Sequence, residues 1–291
     1  MPIKLIAMDI DGTLLDSAGL LPERNKQVIA EAAASGIDIV IVTGRRYQSA
    51  RRLAAGLECD LELIVSNGSL IKSQNGTTHY RRLLPAGTAR SVLEATEDFR
   101  NCAGVIFDRP DWGQVFFERI DWEGPFIGPY LRKYREQVEE IQPLTACLDS
   151  EDPVEVMFVG ECEAMRRALQ ILQGHHASEQ FTLALTEYKE RGMSMLDVLR
   201  RGVSKGEALA EWARRRGIAR EEVMAIGDNW NDREMLEYAG LPVVMANAVA
   251  ELKSLGWSVT LSNDECGVAH AIEQFALGNR RVGESVETPR V

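Results

Sequence analysis

The sequence predicts an α/β fold, a doubly wound and mostly parallel core sheet split by an inserted α+β domain. Two patterns carry that prediction. In the first and last thirds of the chain, short apolar runs rich in Val and Ile alternate with helical stretches, as strands covered on both faces require. From Pro85 to residue 190 or so the alternation lapses into a mixture of strands and helices.

Taken in order, residues 3–10 (IKLIAMDI), 37–42 (IDIVIV) and 61–65 (LELIV) read as the first three parallel strands. Between the first two lies PERNKQVIAEAAASG, where Pro22 suits a helix start and Gly36 a helix end, giving a right-handed βαβ opening. The third run passes through SNGSL into LIKSQNGTTHYRRL, whose Asn75-Gly76 marks a hairpin. Within the insertion, TARSVLEATEDF reads as a helix, GVIFD and VFFERI as strands, and YLRKYREQVEEI as a helix. VEVMFVG, CEAMRRALQILQ and FTLALTEY then read as strand, helix and strand. The core resumes at SMLDVL, followed by the helix SKGEALAEWARRRG, the strand VMAIGD, the helix DREMLEYAG, the strands PVVMAN and SVTLS, and a helix through Ala276. The expected division is a discontinuous core of residues 1–84 and 191–278, an insertion of residues 85–190, and a polar tail of residues 279–291.

Composition narrows the class. A chain of 291 residues with 45% hydrophobic side chains can fill two globular cores. It holds no apolar run of about 18 residues, and the N-terminal run meets Asp9 too early for a signal-peptide core, so a cytoplasmic protein is expected. Cys59, Cys102, Cys147, Cys162 and Cys266 are odd in number and never form a Cys-x-x-Cys pair, which indicates neither a disulfide framework nor a zinc site. The net charge of −11 opposes unspecific binding to nucleic acid or anionic membranes, so an anionic ligand demands a strong local cation.

In an open α/β sheet the ligand sits beyond the carboxyl ends of the strands. IAMDIDGTLLD places Asp9 and Asp11 at the end of the first. Two neighbouring carboxylates both stay ionised only beside a cation, and otherwise one takes up a proton. Magnesium, a hard ion that prefers oxygen, meets that condition. The glycine spacing does not fit a calcium loop, a dinucleotide fingerprint or a Walker motif. Thr43-Gly44 ends the second strand, although Thr43 also reads as a cap for the following helix. SNG ends the third strand and is equally explained as a turn. In VSKGEAL, Ser204 and Glu207 suit a capping box, yet Lys205 occupies a first helical turn that disfavours a cation, as a nearby anion would explain. AIGDNWND closes a later strand, with Asn231 or Asp232 placed to cap the next helix and Asp228 left for a metal. Two carboxylates, a hydroxyl, an ammonium and a distant acidic ligand are together the parts of phosphoryl transfer through an aspartyl-phosphate.

DIDGT, TGR, GVSKG and GDNWND, in that order, resemble the haloacid dehalogenase superfamily and, within it, the Cof-type phosphatases with a C2 cap. The resemblance implies a Rossmann-like core with a C2B-type cap. It also implies that Asp9 is the nucleophile and a magnesium ligand, and that Asp11 is the acid/base with its carbonyl on the metal. Asp228 would complete the metal site. Ile10, Thr43, Gly44 and Asn231 would hold the phosphoryl group, Lys205 would neutralise it, and Asp232 would stand behind these groups.

The expected activity is a magnesium-dependent phosphatase acting on a small phosphorylated metabolite, a sugar phosphate first, as a monomer or homodimer. A phosphomutase or phosphotransferase would use the same Asp9 intermediate. A two-component receiver would place its acidic pair well before its nucleophile, and its domain is far smaller. The short link from Asp11 to Thr43 leaves no room for a lid, so the insertion is expected to supply it and to set specificity. Trp112, Trp122, Phe116 and Phe117 are placed there to stack on substrate or to fill the cap core. His175-His176 fits a surface helix end better than a metal site, since neighbouring helical side chains diverge. Arg45 and Arg46 either reach substrate or pack on the outer helix.

Overall fold

The computed structural model describes residues 1–188 and 191–278, so the polar tail expected at 279–291 lies outside the described residues. The chain divides into two compact units, Met1–His79 together with the chain from Lys205 on, and Tyr80–Ser204.

The first unit is built on an eight-stranded sheet. Its early strands are β1 (Leu5–Met8), β2 (Asp38–Val42), β3 (Glu62–Val65), β4 (Leu70–Ser73) and β5 (Thr78–Arg81). The second unit contributes β6 (Ala103–Ile106), β7 (Val115–Phe117), β8 (Val138–Glu140), β9 (Glu155–Glu161), β10 (Phe181–Tyr188) and β11 (Met193–Arg200). The chain then returns to the first sheet as β12 (Val223–Gly227), β13 (Leu241–Val244) and β14 (Ser258–Val259). The order is β14-β13-β12-β1-β2-β3-β4-β5. From β14 to β3 every pairing is parallel, while β4 turns back antiparallel on β3. β1, β3 and β12 are buried along nearly their whole length, which explains their continuous apolar runs. The helix Glu23–Ala34 makes the crossover from β1 to β2, burying Val28, Ile29 and Ala32.

The second unit is a six-stranded, largely antiparallel sheet in the order β10-β11-β9-β6-β7-β8. The helices Ala86–Ala95 and Cys162–Gln173 bury Val92, Leu93, Met165 and Leu172 in one core with Phe158 and Leu196. Phe116 and Phe117 are core residues here, and Phe116 meets Phe107 edge-on at 5.7 Å.

Three expectations are corrected. SMLDVL does not resume the core sheet: as β11 it pairs antiparallel with β10 and β9, and the core restarts at Lys205. Its short, mainly apolar run suits a covered strand of a hairpin as well as a core strand. YLRKYREQVEEI is not one helix, since Gly128–Lys133 stops early and Val138–Glu140 pairs with β7. Leu131, Tyr134 and Val138 are all buried, so the helical spacing is real while its last member belongs to a strand. The rings of His175 and His176 do not diverge; past the helix end at Gln173 they lie 4.1 Å apart, and His175 Nδ1 accepts from the Ala177 amide. No described helix is long and apolar enough to cross a membrane.

Candidate active site

The chain leaves β1 in one direction toward β2 and β3 and returns on its other side through β12 and β13. β1 and β12 therefore flank a topological switch point, where the strand carboxyl ends open a crevice. Parallel register sets Met8 beside Ile226 and Ile41, so Asp9, Asp228 and Thr43 emerge at the same end of the sheet. The Asp9 amide donates to the Ile226 carbonyl at 3.1 Å, fixing where the first carboxylate leaves the sheet.

Three carboxylates converge there. Asp9, Asp228 and Asp232 are all buried and each offers an oxygen within 4.8 Å of the others. Lys205, the first residue of the helix Lys205–Arg216, points into this group and is itself only 1% exposed. Its Nζ donates to Asp9 Oδ1 at 2.7 Å and to Asp232 Oδ1 at 2.6 Å. The anions that a cation in a first helical turn requires are thus Asp9 and Asp232. The second oxygen of Asp232 accepts from the amides of Asp228 and Asn229, both at 3.0 Å. Asp232 therefore ties the ammonium to the turn that carries Asp228.

The cap of that turn corrects the sequence reading. Asn229 and Asp232 form a reciprocal capping arrangement on the turn Trp230–Asp232, and Asn229 Oδ1 accepts from the Trp230 amide. Asn231 is half-buried within the same turn. Thr43 does not cap the next helix either; its hydroxyl accepts from the Arg45 amide at 3.1 Å, and Arg46 is the residue before the helix Tyr47–Ala54.

The loop after β1 completes the cluster. Thr13, fully buried, donates to Asp228 Oδ1 at 2.7 Å. Gly12 has φ +84°, and a Cβ built on it would lie 2.3 Å from Asp228 Oδ2. Glycine is required both for the left-handed backbone and for the approach of that carboxylate.

Charge is not balanced within the cluster. One ammonium faces three carboxylates, and burial pushes the Asp9 carboxyl up to about 7 against the pull of Lys205, with Asp232 and Asp11 adding to the rise. Burial likewise holds Asp228 well above the usual carboxylate range, reinforced by Asp232 and Asp9. Burial alone would lower the Lys205 pKa, but Asp232 and Asp9 outweigh it and raise the value above that of a free lysine. The excess of hard oxygen donors over positive charge suits a divalent cation.

Asp11 does not join this group. Its carboxylate turns to Arg45, which donates from Nε to Oδ2 at 2.7 Å and from Nη2 to Oδ1 at 2.5 Å. The pair Asp9 and Asp11 is therefore tolerated by two different cations, an ammonium for the first and a guanidinium for the second.

The haloacid dehalogenase-like hydrolase family matches residues 6–272. The chain belongs to that family. This hydrolase is 31% identical over 275 residues to 5-amino-6-(5-phospho-D-ribitylamino)uracil phosphatase YcsE of Bacillus subtilis, covering 94% of this chain and 96% of the relative. It is also 31% identical over 252 residues to an HMP-PP phosphatase of Serratia proteamaculans, with 87% of each chain covered. Among solved structures, a haloacid dehalogenase-like hydrolase from Bacteroides thetaiotaomicron superposes with a TM-score of 0.78 at 25% identity, over 94% of this chain and 99% of that one. The hydrolase is thus an enzyme of phosphatase type.

Sequence reasoning passed over four residues of the site. Thr13 lies in DIDGT, where its spacing gives it no role of its own. Asn247 donates to the Gly12 carbonyl at 2.8 Å and accepts from the Asn263 amide, bracing the loop after β1. Ser66 and Asn67, in the SNG after β3, adopt φ of 49° and 51°, and the Asn67 amide donates to the Thr43 carbonyl at 3.1 Å. Only Asn67 carried a signal, since Asn before Gly favours left-handed backbone.

Proposed function

We propose that this hydrolase is a magnesium-dependent phosphomonoesterase that removes the phosphoryl group of a small phosphorylated metabolite, a sugar phosphate first, through an aspartyl-phosphate on Asp9. The observation that carries the reading is the buried convergence of Asp9, Asp228 and Asp232 on the single ammonium of Lys205. The donor set fits magnesium, with the carboxylates of Asp9 and Asp228 and the carbonyl of Asp11 as its holders. Magnesium would supply the positive charge that offsets repulsion between a carboxylate and a phosphoryl group.

The remaining work belongs to side chains of the protein. An oxygen of Asp9 attacks phosphorus while the bond to the leaving oxygen breaks, and the Asp11 carboxyl gives that oxygen a proton. Asp11 then takes a proton from water as the water attacks phosphorus, which restores Asp9 and frees phosphate. The Thr43 hydroxyl, the amides of Ile10 and Gly44, and Asn231 hold the phosphoryl oxygens. Lys205 offsets their charge, and Asp232 keeps its ammonium in place. Substrate choice is assigned to the inserted domain. The relative that acts on a phospho-D-ribityl compound supports a sugar-like phosphate ester.

The test is phosphate release from a panel of phosphate esters with magnesium, repeated for Asp9→Asn. Turnover by the wild type and none by Asp9→Asn is expected. Normal turnover by Asp9→Asn refutes the covalent route, and isomerised sugar phosphate in place of free phosphate would make the enzyme a mutase.

A further inference from the structure

The guanidinium of Arg45 grips Asp11 across 34 positions of sequence, and it is built to do so. Its amide donates to the Thr43 hydroxyl at 3.1 Å, and its carbonyl accepts from the Ser66 amide at 3.0 Å, so the backbone of Arg45 is tied to the ends of both β2 and β3. From there Nε and Nη2 reach the two oxygens of Asp11 separately, a fork on a fork. That geometry fixes the plane of a carboxylate as well as its position, which a lysine ammonium cannot do. Asp11 and Arg45 are 40% and 30% exposed at the side chain, whereas Asp9, Asp232 and Lys205 are buried. The acid/base thus stands at the open side of the cluster, held by its own cation.

We propose that Arg45 is the positioning residue for the acid/base Asp11, an inference that rests on the reaction proposed above. An ionised carboxylate can accept both hydrogen bonds of the fork. A protonated carboxyl keeps one and presents the O–H of its other oxygen. When the leaving group departs, its oxygen–phosphorus bond breaks, the proton of Asp11 passes to that oxygen, and the resulting carboxylate closes on both donors of Arg45. The same grip then aims the carboxylate at water for the second half-reaction. Arg45 acts through Asp11 and so governs steps in which a proton moves.

The experiment compares wild type, Arg45→Met and Arg45→Lys on an alkyl phosphate, whose leaving oxygen needs a proton, and on 4-nitrophenyl phosphate, whose leaving group does not. Acid quenching reads the phosphoenzyme in each case. The expected result is a loss of kcat at least tenfold larger for the alkyl than for the aryl ester in Arg45→Met. With the aryl ester the variant should also accumulate phosphoenzyme, because water attack has lost its aimed base. Arg45→Lys should restore little, since charge without the fork cannot orient Asp11. Equal losses on both esters without accumulation of phosphoenzyme, or a rise in KM alone with weaker inhibition by inorganic phosphate, would overturn the proposal and make Arg45 a substrate contact. Thermal unfolding of Arg45→Met near that of the wild type is expected for a positioning role, and a collapse of the fold reversed by Arg45→Lys would assign the residue to structure instead. Absence of phosphoenzyme in the wild type and in Asp11→Asn alike would refute the covalent route itself, a result separate from the ester comparison.

Discussion

Lys205 Nζ lies 2.7 Å from Asp9 Oδ1, although 196 positions and the whole inserted unit separate them in sequence. The contact depends on two segments of the core closing on each other, and it leaves a fully buried ammonium shared between Asp9 and Asp232. Removing one partner of a buried ion pair strands the others in a medium that solvates them poorly. Lys205→Met is therefore expected to cost about 3–5 kcal/mol of unfolding free energy and to abolish turnover. Urea unfolding checks the first, and a loss within 1 kcal/mol or so of zero would mean that the ammonium is not holding the cluster together.

Stability should also depend on pH in a direction opposite to that of an ordinary acidic surface. The Asp9 carboxyl has its pKa raised from 3.8 to about 7, chiefly by burial, and Asp228 shifts the same way for the same reason. Below pH 4 or so both folded and unfolded chains keep the proton, and these groups favour folding fully. As pH rises toward 7 the unfolded chain gives up a proton that folded Asp9 retains, so stability falls by about 1.4 kcal/mol per pH unit for this group, and Asp228 acts in the same direction. In EDTA, the unfolding free energy is expected to be lower at pH 7.5 than at pH 5, and this difference should shrink in Asp9→Asn. At one fixed concentration magnesium should stabilise more at pH 7.5 than at pH 5, and the whole stabilisation reaches about 2.7 kcal/mol where that concentration is a hundredfold excess over its Kd. A stabilisation by magnesium that is independent of pH would contradict the cluster as its site.

Thr13 gives a narrower test. Its hydroxyl is buried and donates to Asp228 at 2.7 Å, so Thr13→Val leaves a carboxylate short of one donor in a nearly isosteric setting. The expected loss is about 1–3 kcal/mol, with more magnesium needed for half-maximal activity. Thr13→Ser should recover most of both. Equal magnesium requirements in Thr13→Val and wild type would remove Asp228 from the metal site.

Much of this arrangement was legible before the structure. The parallel strands were read from continuous apolar runs, and Asp9, Thr43, Lys205 and Asp228 from their places at strand ends and at a helix start. What escaped were relations that periodicity does not encode. β11 has the same composition as a core strand, and only its hairpin with β10 shows that it belongs to the inserted unit. Val138 kept the spacing of a buried helical face while pairing with Val115 as an edge strand. Asp11 was placed correctly along the chain, but its partner depends on where Arg45 is carried by the backbone ties to β2 and β3. Distant side-chain pairings of this kind are set by register and loop anchoring, which one sequence reports only where a motif names both partners.

Gly12 offers the sharpest separation of fold from site. At φ +84° an alanine pays about 1–2 kcal/mol for left-handed backbone. Gly19, at φ +76° with nothing within 4 Å of a built Cβ, would pay a similar conformational cost and nothing more. At Gly12 the added methyl would also lie 2.3 Å from Asp228 Oδ2, a distance no real contact tolerates. The carboxylate is the movable party, since it ends a side chain with two free torsions, and turning it away breaks its bond from Thr13. Gly12→Ala should therefore fold, with a loss of stability somewhat above that of Gly19→Ala, yet lose its thermal stabilisation by magnesium and its activity. Gly19→Ala should keep both. A magnesium response in Gly12→Ala equal to that of Gly19→Ala would show that Asp228 is not needed where the structure holds it, and the cluster would have to be rebuilt around other oxygens.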